Sequence, residues 1–219
     1  MSELLTPKDE RPSVNILGSD GTLRKKTDTN CPEHEYLNSG QKCKQCGTVR
    51  RDYETADGKK GTKYELVFKR LEGVIVRIEI FKGDFGKNLL INVEKNDEKA
   101  ILSLGVASPF GEDFMKKFPN IDLGKEISFE PFSFENDNGK TIKGITLKQD
   151  GEKLENHYFD KENKKAINGV PEPEGDTEKY DSDDWKGYFL KVRKFLLQET
   201  EKVIENIAWK TEGENNETF

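Results

Sequence analysis

Gly73-Val-Ile-Val-Arg-Ile-Glu-Ile-Phe-Lys82 has the period of a β-strand. Val74, Val76, Ile78 and Ile80 alternate with Ile75, Arg77, Glu79 and Phe81, as expected when one face is buried. The run extends back to residue 64, so residues 64–82 read as one long strand bent at Gly73, where a glycine marks a bulge or barrel bend.

The residues C-terminal to this strand give the architecture. Lys82-Gly-Asp-Phe-Gly86 is a turn, residues 89–93 a second strand and residues 100–106 a third. Ser108 caps a helix with Pro109 at its first position. Phe110, Phe114, Met115 and Phe118 recur at helical spacing, and Pro119 ends the helix. Residues 126–134 form a fourth strand, in which Pro131 indicates a bulge or an edge. Asn136-Asp-Asn-Gly139 makes a hairpin turn, and residues 141–149 are a fifth strand. Residues 157–159 add a short one. Strand, strand, strand, helix, strand, strand is the order of an OB-fold, a five-stranded, partly open Greek-key barrel. The expected class is mainly β.

The N-terminal side carries Cys31-Pro-Glu-His34 and Cys43-Lys-Gln-Cys46-Gly47, which hold all three cysteines and one of the two histidines. Two donor pairs, each spaced x2, suit a tetrahedral Zn2+ with short chelate loops, and Gly47 frees the backbone to curl as in a zinc knuckle. Four closed ligands point to a structural zinc. A Cys43–Cys46 redox pair would not account for Cys31 and His34 repeating the spacing.

The expected organisation is an arm over 1–21, a zinc-ribbon or knuckle module over 22–60, the barrel over 61–160, a Pro/Gly-rich linker over 161–182, a C-terminal helix over 183–210 and an acidic tail over 211–219. Within the arm, residues 13–17 read as a short strand. Asp57-Gly-Lys-Lys-Gly61 reads as a connector at a module boundary. Trp185, Phe189, Val192, Leu196, Val203 and Ile207 form one apolar stripe on a helix running to Trp209. That stripe buries against the barrel, a second subunit or a partner.

Of 219 residues 32% are apolar and 36% charged, with a formal net charge of -6. That is too polar for one fully folded globule of this length. Residues 22–62 hold nine Lys/Arg against six Asp/Glu, and residues 161–219 ten against fourteen. The front attracts polyanions, while the rear competes with them. No apolar run reaches the roughly eighteen residues of a membrane span. No signal peptide is read, and the thiol pattern fits a reducing compartment, so a cytoplasmic location is expected, host-cell cytoplasm if the chain is phage-encoded.

No catalytic set is evident. There is no nucleophile motif, no paired acid/base signature and no phosphate-cradling glycine loop. A binding protein, not an enzyme, is expected. OB barrels bind ligands across strands two and three and with the loops joining strands one to two and four to five. Those regions carry Arg77, Phe81, Lys82, Phe85 and Lys87, then Lys140, Lys143 and Lys148. Arg50, Arg51 and Tyr53 follow the zinc pattern. Aromatic faces that stack bases, mixed with cations that track phosphates, suit single-stranded nucleic acid. Phe81 and Phe85 read equally as core.

Three features resemble bacteriophage single-stranded DNA-binding proteins. The segment Tyr64-Glu-Leu-Val-Phe68 through Gly73, with Phe114-Met-Lys-Lys-Phe-Pro-Asn-Ile121, is similar to their OB barrels. The Cys3His pattern resembles the zinc subdomain of T-even-phage helix-destabilising proteins, although here it precedes the barrel. Glu212, Glu214, Glu217 and the closing Phe219 resemble the acidic tails that recruit replication and recombination proteins. The resemblance implies sequence-independent binding of single strands, a structural Zn2+ and a partner-binding tail. The residues also leave room for a virion assembly protein, with the C-terminal helix as a self-association surface, or a zinc-ribbon transcription regulator.

Overall fold

The structure, a computed structural model, describes residues 13–17, 20–27, 31–84 and 86–209. In chain order the elements are β1 Ser13–Leu17, β2 Thr22–Lys26, β3 Val49–Glu54, β4 Lys60–Phe68, β5 Leu71–Gly83, β6 Gly86–Lys95, β7 Glu98–Gly105, α1 Pro109–Lys117, β8 Glu126–Glu135, β9 Thr141–Gln149, β10 Glu152–Lys153, β11 Phe159–Asp160, β12 Lys165–Ala166 and α2 Ser182–Asn206. Ten strands form one sheet in the order β10-β9-β8-β5-β6-β7-β1-β2-β4-β3, and β11 pairs with β12 alone. Every neighbouring pair in the large sheet is antiparallel except β1 with β7. The protein is mainly β, with a C-terminal helix and a Cys/His cluster near its N-terminus.

The expected single strand over 64–82 is two strands. The chain changes partners at Lys69 and Arg70: β4 pairs with β2 and β3, whereas β5 pairs with β6 and β8. Asp57-Gly-Lys-Lys-Gly61 contributes the β3–β4 hairpin turn, closed by Thr55 N–H donating to the Lys59 carbonyl at 2.8 Å. The buried face of β5 also differs from the simple alternation. Its register against β6 shifts between Ile75 and Arg77. Ile75 and Ile78 are buried, while Val74 and Val76 are only half-buried. One extra residue at a bulge moves every later side chain to the opposite face. Gly73 serves a different need: a Cβ there would lie 2.6 Å from the Glu94 carbonyl oxygen and from Val93 Cγ1.

Pro131 sits where its missing N–H costs little. β5 pairs with β8 only as far as Phe129, so from there onward β8 has β9 on one side alone. Gly21, just before β2, packs into that vacated place; a Cβ on it would come 2.6 Å from the Phe132 carbonyl carbon. The sheet therefore curls until its N-terminal ribbon meets β8. Among the described residues β7 does not pair with β9, the contact that would close five strands into a barrel. β7 pairs instead with β1, Val14 opposite Leu102.

The core fills the inside of this curl. Leu23, Ile78, Leu89, Ile91, Leu102 and Ile145 are at most 1% exposed. α1 plugs it with Phe110, Phe114 and Met115, and Phe118 in the 3-10 turn that follows adds a fourth side chain, in agreement with their spacing. The helix starts as expected, the Ser108 hydroxyl accepting from Gly111 N–H at 3.1 Å. α2 stops at Asn206, short of Trp209, because Ile207 is extended. Its buried residues are Val192, Leu196 and Thr200. It docks across α1, with Arg193 3.5 Å from Glu112. Trp185 and Phe189, expected in the buried stripe, lie on turns beyond that contact. They stack on each other at 5.8 Å and leave Phe189 49% exposed.

Candidate metal centre and cationic faces

Cys31, His34, Cys43 and Cys46 bring four donor atoms within 4.8 Å of one another, an arrangement that can hold a metal ion. Local backbone chemistry builds it. Pro32 starts a 3-10 turn over Pro32–Tyr36 that faces Cys31 and His34 inward. On the other arm, Gly47 takes φ +74°, its N–H donating to the Cys43 carbonyl at 3.0 Å, while Cys46 N–H donates to Cys43 Sγ at 3.4 Å. The two arms close on each other: Cys31 Sγ lies 3.7 Å from Cys43 Sγ, and His34 Nε2 lies 3.1 Å from Cys46 Sγ. Three soft thiols and an imidazole in a closed set fit a tetrahedral ion.

The surroundings tune these donors. Thr48, 1% exposed, places its hydroxyl 3.1 Å from Cys46 Sγ and 3.0 Å from His34 Nε2. Hydrogen bonds from the Thr48 hydroxyl and backbone, assisted by His34, lower the Cys46 thiol to about 6. The Cys46 N–H favours a thiolate at Cys43 as well, but burial and the adjacent thiols outweigh it and hold Cys43 above its ordinary value. Thr48 escapes a sequence reading because a hydroxyl two residues past a cysteine carries no ligand signature. Tyr64 of β4 anchors the cluster to the sheet, its ring stacked on His34 and its hydroxyl donating to the His34 carbonyl at 3.1 Å.

The residues expected to meet nucleic acid lie on three regions of the sheet. In the first, Arg77 and Phe81 project from the same face of β5, with Glu79 between them. Phe81 is 55% exposed, so it is not core. Arg77 is held by Glu79 at 2.6 Å. Lys82 stands directly opposite Lys87 on β6, and like charges so placed repel. Lys87 is answered by Glu201 of α2 at 2.9 Å. Phe85 lies outside the described residues, as do Glu212, Glu214, Glu217 and Phe219.

The second region is β9 and its turn. Lys140 is exposed beside the turn, which Gly139 closes with φ +71°. Lys148 pairs with Glu130 at 2.7 Å. Lys143 lines a cavity of about 400 Å³ with Glu112, Lys116, Phe132 and Arg193. The third is edge strand β3, where Arg51 and Tyr53 face one side. Arg50 faces the other, donating to Asp52 at 3.0 Å and to the Leu37 carbonyl. In sheet order β6, β7, β1, β2 and β4 separate β3 from β5.

One further cavity, of about 350 Å³, has no signal in the sequence. Leu23, Leu71 and Val93 form its floor, with Phe68 at its side and Lys25 and Arg70 among the cations on its rim. It combines positions from β2, β4, β5, β6 and β7, a grouping no local pattern announces. Comparison with known protein families, curated proteins and solved structures finds no match for this chain. No helix among the described residues is long and apolar enough to cross a membrane.

Proposed function

We propose that this chain is a sequence-independent single-stranded DNA-binding protein of DNA replication or recombination, a binding protein and not an enzyme. The observation that carries the reading is Phe81: a phenylalanine more than half exposed on a strand face that it shares with Arg77 and Glu79, at the end of a hairpin that carries Lys82 and Lys87 on its other face. An exposed ring costs hydration, and a ring with cations within reach on the same hairpin suits base stacking with phosphate tracking. The OB reading is supported by the order β9-β8-β5-β6-β7 with α1 between β7 and β8; it places β1 where a closed barrel would put β9. The donor set at Cys31, His34, Cys43 and Cys46 favours Zn2+ over harder ions, in a structural role. The acidic tail recruits replication or recombination proteins.

Anisotropy of labelled oligo-dT at low and high salt tests this. The expected result is tight binding at low salt that weakens steeply as salt rises. Absence of binding at low salt overturns the proposal. A second reading, an assembly protein that self-associates through α2, draws on Phe189 and Leu190, 49% and 63% exposed. Native mass spectrometry showing a large defined assembly without DNA affinity selects it.

A further inference from the structure

Strand alternation gathers charge on one face of the β2–β4–β3 part of the sheet. Lys26 stands opposite Glu65, Arg24 opposite Val67, Arg51 opposite Lys63 and Tyr53 opposite Gly61, all on the same side. Glu65, 4% exposed, sits at the centre. Lys63 approaches its carboxylate at 2.8 Å, Arg24 at 3.4 Å and Arg51 at 3.8 Å. Asp20 makes a second pair with Arg24. Three cationic side chains, Arg24, Arg51 and Lys63, thus meet two carboxylates, one of them buried, with Lys26 at the neighbouring register position. Arg51 Nη1 is buried and has no hydrogen-bond acceptor among the described residues, while the side chain as a whole is 37% exposed.

Beside these cations lies an aromatic platform. Gly61 has no side chain, and the Tyr53 ring occupies the space where one would stand, 2.6 Å from the position of a Cβ. The ring is therefore laid over β4, yet Tyr53 remains 43% exposed. Lys63 Nζ lies 5.9 Å from its centroid. The cations come from three adjacent strands, each about 4.8 Å from the next; Glu65 draws three of them together, and Lys26 extends the patch along β2.

We propose that this face is a second track for single-stranded nucleic acid, separate from the β5–β6 surface. Phosphates lie against Arg24, Lys26, Arg51 and Lys63, and one base stacks on Tyr53. The proposal rests on the single-strand-binding reading and extends it. It excludes Arg50, which faces the other side of β3. Glu65 acts as a tie that gathers three cations and partly neutralises them.

The test uses the full chain and labelled oligo-dT of increasing length, read by anisotropy over a salt series, with metal content and thermal melting as controls. Tyr53→Ala should weaken binding of the longer oligomers about tenfold or more. The Arg51→Gln/Lys63→Gln pair should lower the slope of log K against log salt by roughly 1.4, about 0.7 per phosphate lost. Glu65→Gln, which releases the cations, should tighten binding, so the inference stays testable even where the double variant is poorly folded. Wild-type binding with none of these changes, while Phe81→Ala still weakens it, overturns this track and leaves the β5–β6 reading standing. No wild-type binding at all removes both. Equal affinity for a duplex of the same length, with Tyr53→Ala neutral, also overturns the proposal, in favour of a general polyanion surface.

Discussion

The imidazole of His34 lies flat on the ring of Tyr64, centroids 3.8 Å apart and planes 14° from parallel. Tyr64 belongs to β4, the strand that also pairs with β2 and β3. The Cys/His cluster is thereby fixed to the sheet by a donor residue itself, not only by chain connectivity. Cys46→Ser should abolish stoichiometric zinc by elemental analysis, because three donors leave the set open. Tyr64→Ala should keep the stoichiometry but bind zinc more weakly and melt at lower temperature. Unchanged metal content in Cys46→Ser removes the zinc assignment.

α2 provides an internal contrast. Leu196 is fully buried against the core, and Leu190, nearly two turns earlier, is 63% exposed. Leu196→Ala should cost about 2–5 kcal/mol by urea unfolding, through lost burial and a residual cavity. Leu190→Ala should fall within about 0.5 kcal/mol of wild type. Equal losses would mean that α2 docks on a different face.

Gly73→Ala should destabilise by about 1–3 kcal/mol or more. The new methyl group meets the Glu94 backbone oxygen, which cannot move without breaking the β5–β6 ladder. The same change at Gly151 or Gly175 meets no neighbouring atom within 4 Å; there the positive φ alone carries the cost. Chemical unfolding of the three variants ranks them.

Acid should loosen the start of α2. Asp181 accepts from Asp184 N–H at 2.9 Å and Asp183 N–H at 2.7 Å, and these bonds hold its carboxyl below the ordinary 3.8. A depressed folded value means that the stabilisation is complete above 3.8 and is lost as the pH falls through the folded value. Hydrogen exchange in residues 182–190 should therefore accelerate as acid protonates Asp181. In Asp181→Asn, which accepts without titrating, this part of the pH dependence should vanish.

Glu201 competes for a cation of the proposed binding loop. Its partner Lys87 is 42% exposed, so the pair is solvent-screened and weak. Glu201→Gln should tighten oligo-dT binding about two- to fivefold at low salt and change little at high salt. An unchanged affinity at low salt would place Lys87 outside the contact.

The metal cluster was legible because its spacing is local: two x2 pairs and a glycine define the loops whatever surrounds them. α1 was legible for the same reason, through Ser108, Pro109 and the phenylalanine stripe. The bulge after Ile75 was not, since its only marker, Gly73, stands before it and answers a separate steric demand from Glu94. The parallel pairing of Val14 with Leu102 leaves no trace in either strand alone. On α2 the apolar stripe was readable, but the position of α1 decides which turns it covers, and so separates Leu196 from Phe189. The cationic face around Glu65 needed the register of three strands before its residues became neighbours.

The parallel pairing of β1 with β7 also bears on how the chain acquires its fold. β1 is made early, yet its partner is complete only after β6 and the hairpin that joins them. Until then β1 is the outer strand of a small ribbon built with β2, β4 and β3, with no neighbour on its other side. Closing so long a loop is entropically costly before any contact rewards it. The β7 edge is therefore expected to gain its last neighbour late, well after the hairpins, and a nascent chain halted before Ile101 to hold β1 and β2 without that edge to settle on.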